Sequence, residues 1–154
     1  MENKGISILY IDDETNNLVA FNANFRRDFK IFTTEFVNEA LTLLRQNEIH
    51  IVITDQRMPG KTGVEFLQDV IKEFPEPMRI LLTGYSDIEV VIDSINKGQV
   101  FRYITKPFNE MELKMTIENA MEVYNLRKEN KELIQKLFTA NEQLEFMLRQ
   151  KLLS

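Results

Sequence analysis

Ile51-Val52-Ile53-Thr54-Asp55 decides the fold of this chain. Three apolar β-branched residues, a hydroxyl and a carboxylate read as a strand covered on both faces that ends in a charge. The same grammar recurs three times. An apolar run enters Ile11-Asp12-Asp13, Ile80-Leu81-Leu82 enters Thr83-Gly84, and Tyr103-Ile104-Thr105 enters Lys106-Pro107. In an open parallel α/β sheet the carboxyl ends of the strands form the ligand-binding edge, so these distant polar groups converge there.

Five strands are predicted, at residues 6–11, 30–34, 49–54, 79–83 and 100–105. Helical patterns fill the gaps at residues 16–27, 37–46, 63–74 and 88–97. Alternating strands and helices with right-handed crossovers imply an α/β fold, a doubly wound five-stranded parallel sheet. The punctuation agrees. Asn38 or Glu35 is placed to open the second helix, Pro75 and Pro77 to close the third, Asp87 to cap the fourth and Gly98 to end it.

A chain of 154 residues, 44% hydrophobic and 28% charged, is one globular domain with an addition. It contains no cysteine, which removes disulfide and thiolate chemistry and fits a reducing, cytoplasmic setting. Met1-Glu2-Asn3-Lys4-Gly5 has no signal-peptide pattern, and no apolar run approaches the roughly 20 residues of a membrane span. A net charge of -5 and a pI near 5.0 argue against direct nucleic-acid binding.

The addition lies at the C-terminus. Between Phe108 and Ser154 there is no glycine or proline, and one helix over that stretch would run roughly 65 Å, more than a small domain can cover. Heptad positions a at Val123, Asn130, Leu137, Leu144 and Lys151 place Leu126, Leu133, Ala140 and Met147 at d. That is a two-stranded coiled-coil seam in which Asn130 can fix register and Glu122 can face Arg127 of a parallel partner. Ile134, Phe138 and Leu148 widen the apolar face, as they would in a helix folded back on its own domain or left exposed in a piece of a longer chain. The uncapped ending at Arg149–Ser154 favours such a piece over a stand-alone regulator.

Three clustered carboxylates, Asp12, Asp13 and Asp55, repel one another unless a cation binds, and an all-oxygen set favours Mg²⁺. Thr83 and Lys106 beside them suit the oxygens of a phosphoryl group. Any one of these carboxylates alone reads equally well as a helix-entry anion. Thr83 alone is a strand-end hydroxyl, and Tyr103 alone is core. Their joint spacing promotes them. His50, the single histidine, has no partner pattern and reads as structural.

Asp12-Asp13, Asp55-Gln56-Arg57-Met58-Pro59-Gly60 with Thr62-Gly63-Val64-Glu65, Leu82-Thr83-Gly84-Tyr85 and Tyr103-Ile104-Thr105-Lys106-Pro107-Phe108 closely resemble the receiver domain of two-component response regulators, the chemotaxis-regulator-like fold. The resemblance covers residues 5–124. It implies a flavodoxin-like sheet of order 2-1-3-4-5 and phosphorylation by a sensor histidine kinase or phosphotransfer protein. Asp55 matches the phospho-acceptor. Asp12, Asp13, Asp55 and the Arg57 backbone carbonyl match the Mg²⁺ ligands. Lys106 matches the lysine that pairs with a phosphoryl oxygen, and Pro107 the cis proline that aims it. Thr83 and Tyr103 match the switch pair, and Arg57 and Tyr85 stand where side chains overhang the site.

These matches imply a receiver over residues 1–124 and a helical, dimerising extension over 125–154 that serves an output domain or downstream effector. Residues 96–101 resemble receivers joined through helices to catalytic modules. No helix-turn-helix, cyclase or phosphodiesterase motif follows Lys106. Two other functional classes share some of these residues. An aspartyl-phosphate phosphotransferase or phosphatase is disfavoured because Asp12-Asp13-Glu14-Thr15 lacks the Asp-x-Asp-x-Thr pattern of haloacid-dehalogenase-like enzymes. A phosphorylation-independent dimerisation module is disfavoured by the complete acidic, Thr and Lys set. The receiver is therefore expected to be no enzyme beyond its own phosphorylation and dephosphorylation.

Overall fold

The computed structural model describes residues 5–97 and 99–154, so the lead-in at residues 1–4 and the Gly98 helix stop fall outside them. Along the chain run β1 (Ser7–Ile11), α1 (Thr15–Phe25), β2 (Lys30–Thr34), α2 (Val37–Gln46), β3 (Ile51–Asp55), α3 (Gly63–Glu73), β4 (Met78–Thr83), a 3-10 turn (Tyr85–Asp87), α4 (Ile88–Asn96), β5 (Arg102–Thr105) and α5 (Glu110–Leu153). The strands pair in parallel in the order β2-β1-β3-β4-β5. Every predicted element is present, with no end displaced by more than two residues and with β2 and α2 matching at both ends.

Side chains alternate across a strand, so each sheet face carries its own apolar layer. Leu9, Ile11, Val52 and Leu81 face a cluster with Ala40 and Leu44 of α2, Phe66, Leu67 and Val70 of α3, and Val91 of α4. On the opposite face Tyr10 packs on Phe21 of α1, and Phe21 on Phe25, with ring centroids 4.5 and 4.9 Å apart. In α5 Leu113, Thr116, Ile117 and Ala120 are buried, a spacing of three and four that presents one helical stripe to the domain. β1, β3 and β4 are buried along their whole length, which fixes where their polar ends emerge.

Helix entry departs from the sequence reading in two places. Neither Asn38 nor Glu35 opens α2: its N-cap is Phe36, without a side-chain cap. The Phe36 amide donates back to Thr34 Oγ1 at 3.1 Å, and Glu35 accepts from the Thr15 hydroxyl at 2.9 Å. Asp87 stands at the N-cap of α4 without bonding its amides, because its carboxylate accepts from Arg57 instead. By contrast α3 has a full capping box between Thr62 and Glu65, and Asn109 Oδ1 accepts from the Met111 amide at 2.7 Å at the start of α5.

The chain divides into two units, Met1–Met121 and Glu122–Ser154. In the second, Leu126, Leu133 and Met147 at d and Leu137 and Leu144 at a are each more than half exposed. Among the described residues no helix is long and apolar enough to cross a membrane.

Gly63 sets the path of the loop between β3 and α3. A Cβ there would overlap the backbone carbonyl of Asp55 and stand 2.8 Å from Leu81 Cδ1. Gly63→Ala is therefore expected to lower stability by about 2 kcal/mol or more, since backbone cannot rotate aside as a side chain can. Urea melts of variant and wild type read it; equal midpoints would mean that the loop yields freely.

Candidate functional site

The strand order reverses at β1, which has β2 on one side and β3 on the other, so the carboxyl ends of β1 and β3 flank the crevice of the sheet. Pairing of Ile11 with Thr54 sets Asp12 beside Asp55. Asp12 is fully buried, Asp55 is nearly so and Asp13 is half-buried. One carboxylate oxygen from each of the three lies within 4.8 Å of the others. Lys106, delivered by the end of β5, brings its Nζ to 2.9 Å from Asp55 Oδ1 and 3.7 Å from Asp12 Oδ2. The Lys106–Pro107 peptide is cis. These four residues come together, as the sequence implied, from the ends of three different strands.

One cation against three carboxylates leaves the cluster net negative. Burial pushes the Asp55 carboxyl above its usual range, with Asp12 adding to the effect, while Lys106 and the Gln56 amide pull against it. The donor set is all oxygen and carries excess negative charge, which fits a hard divalent cation.

The remaining groups frame this cluster. Asp13, Glu14, Asp55, Gln56, Arg57, Gly84, Ser86, Asp87 and Lys106 line an open cavity of about 490 Å³. The Arg57 guanidinium spans its rim, donating from Nε to Asp87 Oδ2 at 2.9 Å and from Nη2 to Ser86 Oγ at 3.2 Å. Thr83 is fully buried at the end of β4, with its hydroxyl on the Gly84 carbonyl at 3.3 Å. Its own carbonyl accepts from the Lys106 amide at 2.8 Å. Tyr103 is half-buried and packs against the α2–α3–α4 side of the core. The side chain of Tyr85 lies outside the described residues. His50 lies away from this edge, its Nδ1 accepting from the Ser7 amide at 2.9 Å.

Three contributors escaped the sequence reading. The Tyr10 hydroxyl donates to Asp12 Oδ2 at 2.6 Å, and Asn17 Nδ2 donates to the same oxygen at 3.0 Å. Burial first, and Asp12 second, hold the Tyr10 phenol well above its usual range, so it keeps its proton. Gln56 Oε1 accepts from the Val64 amide at 3.0 Å and its carbonyl from the Gly63 amide at 2.9 Å, tying the acceptor loop to α3. Period-two spacing puts Tyr10 and Asp12 on one side of β1 and could have flagged the first; Asn17 and Gln56 carry no such signal.

A 2-1-3-4-5 parallel sheet with this acidic switch point places the chain in the flavodoxin-like class, among receivers of the chemotaxis-regulator type. The profile of the response regulator receiver domain matches residues 8–118, and the chain belongs to that family. It is similar to the hydrogenase transcriptional regulatory protein HoxA of Cupriavidus necator, at 35% identity over all of this chain and 32% of HoxA. Among solved structures it resembles an adenylate cyclase from Rhodopirellula baltica, with a TM-score of 0.82 and 31% identity over 84% of this chain and 97% of that one. It also resembles the response regulator TrrA of Thermotoga maritima in complex with Mg²⁺-BeF, with a TM-score of 0.66 and 30% identity over 75% and 98%. The chain spans about a third or less of the length of the curated relatives it matches. Receiver domains bind Mg²⁺ at an acidic pocket of this kind.

The raised Asp55 carboxyl has a consequence for stability. The native state holds the Asp55 proton to higher pH than the unfolded chain does, so stability falls as pH rises from the unfolded Asp value near 3.9 through the higher native value. Asp55→Asn removes that loss. The variant is expected to exceed wild type in urea stability at neutral pH without metal, with the gap closing towards acid. A gap independent of pH would mean that ionised Asp55 is not the source.

Proposed function

We propose that this chain is the phospho-accepting receiver of a two-component phosphorelay, with Asp55 as the acceptor. The observation that supports it best is Asp55 itself, a strand-end carboxylate beside two more carboxylates and bonded to Lys106 at 2.9 Å. An Asp55 oxygen bonds to phosphorus as the phosphorus–nitrogen bond of phosphohistidine breaks, and the electron pair leaves with the imidazole of a sensor kinase or phosphotransfer protein. The product is a labile acyl phosphate.

Asp12, Asp13, Asp55 and the Arg57 carbonyl would hold Mg²⁺, which when bound offsets carboxylate repulsion and charge on the phosphoryl oxygens. Lys106 exchanges its Asp55 oxygen for a phosphoryl oxygen. Thr83 turns its hydroxyl from Gly84 to the phosphoryl group, Tyr103 moves inward behind it, and the surface of α4, β5 and α5 changes. The Thr83 contact, available only in the active state, supplies the differential affinity that such a shift needs. Self-phosphorylation and self-dephosphorylation at Asp55 are the only chemistry.

The receiver occupies residues 1–124 and the extension 125–154. The extension pairs as a parallel homodimeric coiled coil in the cytoplasm, a reading supported by the exposed a and d residues. The relatives' description as transcriptional regulators supports a transcriptional output, exerted by a further domain or effector rather than by this acidic chain.

Incubation with phosphoramidate and Mg²⁺ is expected to add one phosphoryl group by intact mass, and to shift the monomer–dimer balance in sedimentation. Neither change should occur in Asp55→Asn or without metal. Absence of the adduct in wild type would favour a dimerisation module that has lost phosphorylation, and a shift that persists in Asp55→Asn would move the switch elsewhere. Arg57→Asn is expected to alter the phosphoryl half-life several-fold with little effect on folding, since exposed ion pairs contribute little. An unchanged decay rate would remove Arg57 from that role.

A further inference from the structure

Asp12 is the one carboxylate of the cluster with no exposed surface, and its hydrogen bonds decide what it can still offer a cation. A carboxylate has roughly four lone-pair directions. At Oδ2 two are taken, by the Tyr10 hydroxyl at 2.6 Å and Asn17 Nδ2 at 3.0 Å, with Lys106 Nζ a further 3.7 Å away. At Oδ1 one is taken, by the Glu14 amide at 3.0 Å. A single direction on Oδ1 is left. The Tyr10 ring cannot swing away to release its oxygen, because the residue is almost completely buried and packs against the tilted ring of Phe21.

We infer that Tyr10, with Asn17, is a positioning residue for the metal: the pair occupies Asp12 Oδ2 and fixes the carboxylate so that only Oδ1 faces the cation or a water on it. This rests on the reading of Asp12, Asp13 and Asp55 as the Mg²⁺ site. A fixed oxygen matters most for Mg²⁺, which demands near-ideal octahedral geometry, and less for Ca²⁺, which accepts variable geometry. Tyr10 thereby contributes to ion choice as well as to affinity.

NMR-monitored titrations with MgCl₂ and with CaCl₂, on unphosphorylated protein, test this. Tyr10→Phe keeps the ring on Phe21 and removes only the donor. Its Mg²⁺ dissociation constant is expected to rise about 10-fold or more, in the range seen when outer partners of a metal ligand are removed. The Ca²⁺ constant should rise less, so that the preference for Mg²⁺ narrows, a change that general loosening of the fold would not produce.

A folded Tyr10→Phe protein whose Mg²⁺ affinity stays within about two-fold of wild type, or that loses both ions equally, overturns the inference. Should Tyr10→Phe not fold, Asn17→Ala decides on the half-exposed side of the same oxygen. A weakened, less selective Mg²⁺ response there supports the inference and an unchanged one overturns it. Asp13→Asn separates the two readings. Mg²⁺ binding lost in Asp13→Asn but untouched in Tyr10→Phe sinks the role of Tyr10 alone, whereas a wild type that binds no Mg²⁺ sinks the site itself and this inference with it.

Discussion

The bond between Lys106 Nζ and Asp55 Oδ1 is the interaction around which the rest of this receiver is arranged. Three carboxylates confined within a few ångströms at a partly buried sheet edge repel strongly, because burial lowers the local dielectric and weakens screening. They stay together because the strands that carry them are apolar along their length and have no other place to lie. Lys106 relieves part of the repulsion. What it leaves unrelieved is an excess of negative charge on an all-oxygen donor set, which suits a hard divalent cation. The site and the core are thus one design: burial of β1 and β3 forces together charges that the same burial makes costly.

The sheet was legible because its strands announce themselves twice. Ile51-Val52-Ile53 is apolar enough to be a strand with both faces covered, and Asp55 marks where it ends. The convergence of Asp12, Asp13, Asp55 and Lys106 followed from that edge alone. What could not be read were contacts that depend on rotamers. Asp87 looks like a helix cap because of its place in the chain, yet Arg57, 30 residues earlier, claims its carboxylate. Asn38 fails as a cap for a simpler reason: α2 begins at Val37, so Asn38 already lies inside the helix. Local propensity proposes a partner, and tertiary geometry supplies a stronger one.

α5 shows how one helix can satisfy two environments. Its first turns bury Leu113, Thr116, Ile117 and Ala120 in a short stripe at globular spacing. Its later turns expose Leu126, Leu133, Leu137 and Leu144, pairs of leucines seven residues apart. The change in period is written in the sequence, with no glycine or proline to mark it.

Arg57 and Asp87 join the loop after the acceptor strand to the start of α4, and the arginine is three-quarters exposed. A tie carried by so exposed a guanidinium is open to screening by mobile ions, whereas the Lys106–Asp55 contact is more buried on both sides and is screened less. The two ties therefore belong to different electrostatic regimes. Raising ionic strength therefore loosens the Arg57–Asp87 tie more than the Lys106–Asp55 contact, so the surroundings of the receiver can tune how firmly its loops hold together.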